Sequence, residues 1–528
     1  MNKKLLLILL LALFIRVIGI ANFPSLNPDE AAIGYNDYSL LLTGQDEHGT
    51  SWPLHFKSFG DYKPGGYFYL ALPFIALGGL NTFSVRLPNI ILSVISLFFL
   101  YRIVLILTKN NKLSLITLFI AAVNPWLIHF GRGAWESSAA LSLIIIGTYF
   151  FLRSLKTNIS TNFLLFSVFY VSSLYTYHSA RIVAPLLAFA LVLPNVKYYL
   201  SNFKKVLLPT ILAFFLCLPV AVSFLNNGGT TRFSGVGITA DQGPFWRANE
   251  LIGHHPLDSK LPLFIHNSKI QYSLSWLDKY TSHFNPSFLF SQGDEVPRSK
   301  VPNFGQFYLL ELIPLLIGIH LLFSKKYYRP LRIILIPWLL IAPLASSLTF
   351  QAPSALRSLP LSIPIIILVS MGIYHLTKDV NIIGKFFVFL LYTISFSYFL
   401  FSYFYAYPKI HPTAWNSGFK ELNYLLETKY EDFDHVYITN KYDQPYIYFL
   451  FFNRYPPINL HSEIQLTTPD QYGFQTVPSF GKYIFGPINW AQIPQHSLVV
   501  AADESIPQNP LDIIYFDNFK PAFKIYSK

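Results

Sequence analysis

In a chain of 528 residues with a formal net charge of +12, 52% of the residues are apolar and only 12% are charged, roughly half the charged fraction of ordinary soluble domains. That balance excludes a water-soluble globule, and the single cysteine, Cys217, excludes an intrachain disulfide framework and a thiolate metal cluster. The excess of Lys and Arg does not imply a nucleic-acid partner, and none is expected, because multi-pass membrane proteins concentrate basic residues in their cytoplasmic loops.

A helix crossing a bilayer consumes about 20 residues. Apolar stretches of that order fall at 5–21, 88–108, 113–128, 137–152, 162–177, 182–196, 206–225, 304–324, 333–349, 358–377 and 386–405, so the expected fold is mostly α, a polytopic bundle of about eleven transmembrane helices. Alternate connections are basic: Lys3/Lys4, Lys109/Lys112, Arg153/Lys156, Lys197/Lys204/Lys205, Lys325/Lys326/Arg329/Arg332 and Lys378/Lys385. The positive-inside rule makes that side, and with it the N-terminus, cytoplasmic. Segment 22–87, loop 226–303 and tail 406–528 then lie outside the plasma membrane. Gly19-Ile20-Ala21 also fits a signal-peptide cleavage site after the Leu-rich run; with or without cleavage, 22–87 stays external. The expected division is a membrane domain over 1–405 and a small extracytoplasmic α/β domain over 406–528. In the latter, Trp415 to Tyr430 reads as an amphipathic helix, and His435 to Thr439, Leu498 to Ala502 and Leu511 to Phe516 read as strands.

The first external segment begins Asn27-Pro28-Asp29-Glu30. An N-cap, a proline at the first helical position and acids in the first turn explain these residue types by themselves. The acids nevertheless follow the membrane exit closely, where a lipid-linked substrate presents its headgroup. The same segment holds Asp61, Lys63 and Tyr67, and Arg86 opens the second span. Further external turns carry lone cations against the charge bias: Arg132 with Glu136 four residues on, Arg181 beside His178, and Arg357. Each can anchor a helix end or touch lipid phosphate, but together they suggest one anionic site. Glu311, expected about two turns into the eighth span, is a functional candidate because ionisable groups are costly there; a buried hydrogen bond to a neighbouring helix is the plainer explanation. The histidines show no metal-ligand spacing.

Asp29-Glu30 after the first span, Lys63-Pro64 with Tyr67, and Arg86-Leu87-Pro88 resemble the first-loop acidic motif, the Lys-Pro-Pro-x-Tyr segment and the Arg-Leu-Pro opening of GT-C glycosyltransferases. The resemblance is to the protein O-mannosyltransferase and lipid A aminoarabinose transferase superfamily, and it extends loosely over the chain. Here Gly65-Gly66 replaces the second proline and its neighbour, and Asp61 stands two residues before Lys63. The resemblance implies a sugar donor on polyprenyl phosphate, a lipid, glycan or protein acceptor, membrane lipids as further partners, and inversion at the anomeric carbon. It implies Asp29 as base, Glu30 or Asp61 as positioning partner, and Lys63, Arg86, Arg132, Arg181 and Arg357 on the donor phosphate, with Tyr67, His178 and Glu311 as additional candidates. The resemblance establishes no certain cofactor, and assistance by a divalent cation, Mg2+ or Mn2+, stays open. A transporter or lipid flippase is the alternative. It calls for charged, broken helices at the bilayer midplane, whereas the polar chemistry here gathers on one face; a noncatalytic scaffold would need no external cations beside an acidic pair.

Overall fold

The computed structural model describes residues 3–223, 237–256, 260–469 and 475–528. The chain is mostly helical, with a small sheet near the C-terminus. Among the described residues eight helices are long and apolar enough to cross a membrane, nine if the bent pair Asn111–Val123 and Pro125–Arg132 is one span. All eleven expected spans have helical counterparts. The first is α1 (Lys3–Val17), the eighth is Leu309–Ser324, and both are shorter than a typical crossing. Residues 224–225 of the seventh lie outside the described residues. By contacts the chain groups into two compact units, one of 1–15, 92–130 and 136–399, the other of 16–91, 131–135 and 400–528. Segment 22–87 thus clusters largely with the tail, not with the bundle to which a boundary at 405 would assign it.

The first unit is a helical bundle. Glu136–Ser154 is 89% buried over its apolar window and Leu359–Lys378 is 83% buried, which makes them helices enclosed by protein, whereas the sparsely covered Phe203–Ser223 at 17% offers its apolar surface to lipid. Helices Leu312–Ser324 and Ser362–Lys378 approach until their backbones nearly touch. A Cβ on Gly318 would lie 1.9 Å from the Leu368 carbonyl oxygen, and one on Gly372 1.9 Å from that of Pro314. Small residues permit such contact where lipid supplies no hydrophobic drive for association. The 56° bend after Val123 occurs where Pro125 interrupts the helical ladder and Asn124 recaps it, accepting the Leu127 N–H at 3.0 Å.

In the second unit, α2 (Pro28–Thr43) is followed by the hairpin of β1 (His55–Ser58) and β2 (Asp61–Pro64), then by α3 (Gly66–Gly78) and the start of α4 (Thr82–Thr108). The hairpin pairs Phe56 with Lys63 across a two-residue turn, Phe59 and Gly60, at φ 57° and 84°. Positive φ at both positions matches the strand twist of a tight hairpin. Gly65 donates its N–H to the Leu54 carbonyl at 3.0 Å, and a Cβ there would lie 2.8 Å from that oxygen. A second proline could provide neither the donor nor the space, which accounts for the glycine. The tail builds a six-stranded mixed sheet from β3 (His435–Thr439), β4 (Ser479–Phe480), β5 (Tyr483–Gly486), β6 (Ser497–Ala501), β7 (Asp512–Tyr515) and β8 (Pro521–Ser527), in the order β4-β5-β3-β6-β8-β7. The three expected strands correspond to β3, β6 and β7, and the expected amphipathic helix is Phe419–Lys429 after a short turn. Helix Pro445–Phe452 is almost wholly buried and packs on α2, with Phe451 against Gly34. Tyr35 donates to the Tyr455 carbonyl at 3.0 Å, and His461 Nε2 lies 2.7 Å from the Asp46 carbonyl oxygen.

Candidate active site

The two acids of the first turn of α2 have opposite surroundings. Asn27 accepts the Glu30 N–H at 3.0 Å while Glu30 accepts the Asn27 N–H at 3.2 Å, a capping box that satisfies two orphan donors at the helix start. Glu30 also accepts from Arg86 Nε at 2.8 Å, Arg86 Nη2 at 2.5 Å and the Ala134 N–H at 2.8 Å. Arg86 gives its remaining N–H groups to the carbonyls of Ile20 at 2.9 Å, Pro24 at 2.8 Å and Ser25 at 3.1 Å. A guanidinium has five donors, and all five are occupied in a fully buried pair. Arg86 therefore has no donor left for phosphate, and the expected phosphate role is replaced by a clamp that holds α2 to the start of α4.

Asp29, one residue earlier, keeps about half of its side chain exposed (49%) and forms an ion pair with Lys63 Nζ. Lys63 leaves β2 with only 12% of its side chain exposed, and its ammonium lies 5.1 Å from the centre of the Phe59 ring. A helix N-terminus and a hairpin thus fix both partners, so residues 34 apart in sequence meet without a flexible loop between them. Asp61 shares a face of β2 with Lys63 by the two-residue period of a strand. It accepts the Tyr62 N–H at 2.8 Å and stays partly exposed.

Other expected members have structural tasks. Tyr67 is buried and donates to the Val85 carbonyl at 3.0 Å, fixing the residue before Arg86 rather than facing a substrate. Arg132 is fully buried, donates to the carbonyls of Ile18 at 2.7 Å and Phe23 at 3.1 Å, and lies 4.8 Å from the Phe404 ring centre. Its helix ends at Arg132 and the next begins at Glu136, so their spacing is not a helical pair.

In the other unit, the turn at 177–181 and the segment 352–357 border one small cavity lined by Ser137, Tyr177, Ser179, Leu356 and Arg357. Arg357 bonds to the Gln351 carbonyl at 3.2 Å and the Thr349 hydroxyl at 3.4 Å and stays half-buried. Arg181 donates to the Leu174 carbonyl at 3.2 Å, with His178 Nδ1 3.5 Å away. Buried Asp294, not anticipated, accepts the Ala355 N–H at 2.6 Å and the Val296 N–H at 2.8 Å; it ties the Arg357 segment to the loop before the eighth expected span. Burial raises the Asp294 carboxyl, opposed by its two backbone donors and the Arg357 charge. In sequence it shows only as an acid after Gly293 in a polar turn. Glu311 sits in the first turn of its helix, not two turns in. It accepts from the Tyr308 N–H and the Tyr392 hydroxyl, each at 3.1 Å, which is the plainer of its two readings.

Sequence reasoning also passed over buried acids behind the ion pair. Glu47 is fully buried, and burial raises its carboxyl to about 8, with Asn36 and the Lys63 charge working against the rise. His48 Nε2 lies 3.6 Å from Glu47 Oε1, and burial lowers this imidazole to about 4. Asp37 is buried with no hydrogen bond to either carboxyl oxygen among the described residues. Asp46-Glu47-His48-Gly49 reads as a solvated turn, and nothing local marks its burial. Among the described residues no group of three His, Cys, Asp or Glu could hold a metal ion.

Residues 62–222 match the family model described as dolichyl-phosphate-mannose-protein mannosyltransferase. The structure superposes on ArnT from Cupriavidus metallidurans bound to undecaprenyl phosphate with a TM-score of 0.54 at 10% identity, covering 98% of this chain and 97% of that one. The fold is that of the GT-C membrane glycosyltransferases. The archaeal oligosaccharyltransferase AglB from Archaeoglobus fulgidus, in complex with an inhibitory peptide and a dolichol-phosphate, aligns at a TM-score of 0.47 and 10% identity over 85% of this chain; the chain spans 63% of that enzyme's length. No curated protein matches the chain in sequence. The matched family segment begins at Tyr62, so within the GT-C fold it takes in Lys63 and Arg86 but not Asp29.

Proposed function

We propose that this multi-pass membrane protein transfers a sugar from a polyprenyl phosphate to an acceptor hydroxyl on the outer face of the membrane. The observation that carries the reading is the Asp29–Lys63 ion pair, held by a helix start and a hairpin and open to solvent on the Asp29 side, in a chain with the fold of ArnT along nearly its whole length. That neighbour holds undecaprenyl phosphate, and a prenyl phosphate is a leaving group that needs no general acid. The reaction needs a carboxylate to take the acceptor proton and a cation to hold the charge developing on the phosphate. Asp29 is suited to the first task. Lys63 is suited to the second, since an ammonium carries three donors and can hold Asp29 with one while offering others to phosphate oxygens. Attack opposite the departing phosphate inverts the anomeric carbon. Asp61 is the positioning group on the same strand face, and Arg357 the further candidate cation. The acceptor is a lipid, glycan or protein hydroxyl.

The test is polyprenyl phosphate release by the purified full chain given a panel of polyprenyl phosphate sugars. Asp29→Asn is expected to lower turnover about 10³-fold, the scale of a lost general base, with donor affinity retained. Lys63→Ala should weaken donor binding about 10-fold or more as well as slow the reaction, since a charge-assisted hydrogen bond is lost. Full turnover by Asp29→Asn sinks the base assignment, and release from none of the donors sinks the reading as a whole.

A further inference from the structure

Two adjoining clefts in the second unit, about 490 and 580 Å³, share Ala21, Thr82, Lys420 and Phe452. They lie just beyond the end of α1 at Val17 and at the start of α4, whose apolar window is among the most hydropathic in the chain. Phe83, which lines the second cleft, and Ile18, three residues before Ala21, are exposed, so the clefts open near the end of one apolar helix and the start of another. For two helices that cross a bilayer, such ends fall near the headgroups.

Their polar equipment is cationic. Lys420 gives one hydrogen bond, to Asn22 Oδ1 at 3.0 Å, which leaves two ammonium hydrogens for a ligand. Arg454 is exposed, and its guanidinium has no hydrogen bond or ion pair among the described residues. Both cations occupy backbone positions that disfavour them. Lys420 is in the first turn of Phe419–Lys429, where the helix dipole opposes positive charge. Arg454 follows the end of Pro445–Phe452 at φ 48°, a left-handed conformation that ordinarily selects glycine. Glu421 also lines the first cleft, so its charge is mixed there, while the second has both cations and no acid. Phe452 lines both and supplies an apolar wall.

We propose that this groove binds the phosphodiester headgroup of an anionic membrane phospholipid, with Lys420 and Arg454 on the phosphate and the acyl chains running along Phe83 and Ile18. The site is separate in its residues from the Asp29–Lys63 pair and does not depend on the proposed transfer reaction. A lipid is favoured over a soluble anion because the cations stand beside exposed apolar residues at the ends of spans, and charge complementarity favours an anionic over a zwitterionic headgroup.

The experiment is native mass spectrometry of the full chain in detergent, titrated with dioleoylphosphatidylglycerol or dioleoylphosphatidylcholine, with and without millimolar inorganic phosphate. Phosphatidylglycerol should bind in preference, and Lys420→Gln/Arg454→Gln should weaken it about 30-fold. The pair Lys441→Gln/Lys520→Gln, which removes the same charge from exposed positions outside the clefts, should change nothing. Thermal unfolding provides the second measurement: phosphatidylglycerol should raise the midpoint of wild type but not of Lys420→Gln/Arg454→Gln, which should still unfold cooperatively. Equal affinity for phosphatidylcholine, unchanged binding in Lys420→Gln/Arg454→Gln, or complete displacement by inorganic phosphate would each overturn the proposal.

Discussion

Neighbouring acids in the first turn of α2 differ sharply in burial, Glu30 sealed and Asp29 half open. Glu30 and Arg86 are a buried, fully hydrogen-bonded pair, and removing one partner of such a pair leaves an uncompensated charge that costs about 3–5 kcal/mol. Glu30→Gln is thus expected to destabilise the protein by that amount in detergent unfolding. Arg86→Lys should destabilise it too, because an ammonium cannot reproduce five donors in a planar fork; wild-type stability in Arg86→Lys would contradict the clamp. Glu47 gives a pH-dependent prediction. Burial raises its folded carboxyl to about 8, well above the unfolded value of about 4.3, and burial raises Asp37 in the same direction. Between those values the folded state binds more protons than the unfolded, so stability is fullest at the acidic end and falls as pH rises toward about 8. Melting curves recorded from about pH 6.5 to 8, above the range in which buried His48 contributes the opposite slope, should show that decline, and Glu47→Gln should make it shallower; a curve that is no shallower in Glu47→Gln would refute the burial argument.

At the scale of elements, close approach distributes the glycines. Helices Leu312–Ser324 and Ser362–Lys378 meet at Gly318 and Gly372, each facing a carbonyl oxygen that a Cβ would strike. Backbone cannot yield as a side chain can. Gly318→Ala and Gly372→Ala should each cost about 1–3 kcal/mol as overpacking does. Gly253→Ala, where a Cβ meets nothing within 4 Å, should be neutral or slightly stabilising. Equal melting temperatures for all three variants would show that the helices separate readily. The hairpin matters for another reason: its register puts Lys63 opposite Phe56, and a strand's two-residue alternation turns a one-residue slip into the opposite face.

For the whole molecule, the basic connections of the bundle and the outer-face reading of the tail give a test of orientation. Cys217 is the only cysteine, so Cys217→Ser supplies a thiol-free background. In that background Lys520→Cys, at an exposed site in the tail, is expected to react with a membrane-impermeant maleimide in intact cells. Labelling only after permeabilisation would invert the topology and with it the outer-face reaction. Contacts join the tail to the first external segment through helix Pro445–Phe452 on α2, so truncating the tail should expose the side of α2 that carries Gly34.

What the sequence determined by itself was whatever rests on composition and period. Apolar runs give helices wherever they occur because backbone groups in lipid must bond within their own segment, so each expected span has a helix. The caps around Asn27 and the alternation of the tail strands are equally local. Only the tertiary structure decided which charges are sealed into the scaffold and which stay open to solvent. Asp29 and Glu30 are adjacent acids, and Lys63 and Arg86 are both cations of one external segment, yet one pair is half open and the other sealed. The difference is burial and the number of donors already satisfied, and these depend on partners such as Ile20, Pro24 and Ala134 that no pattern of residue types along the chain brings together.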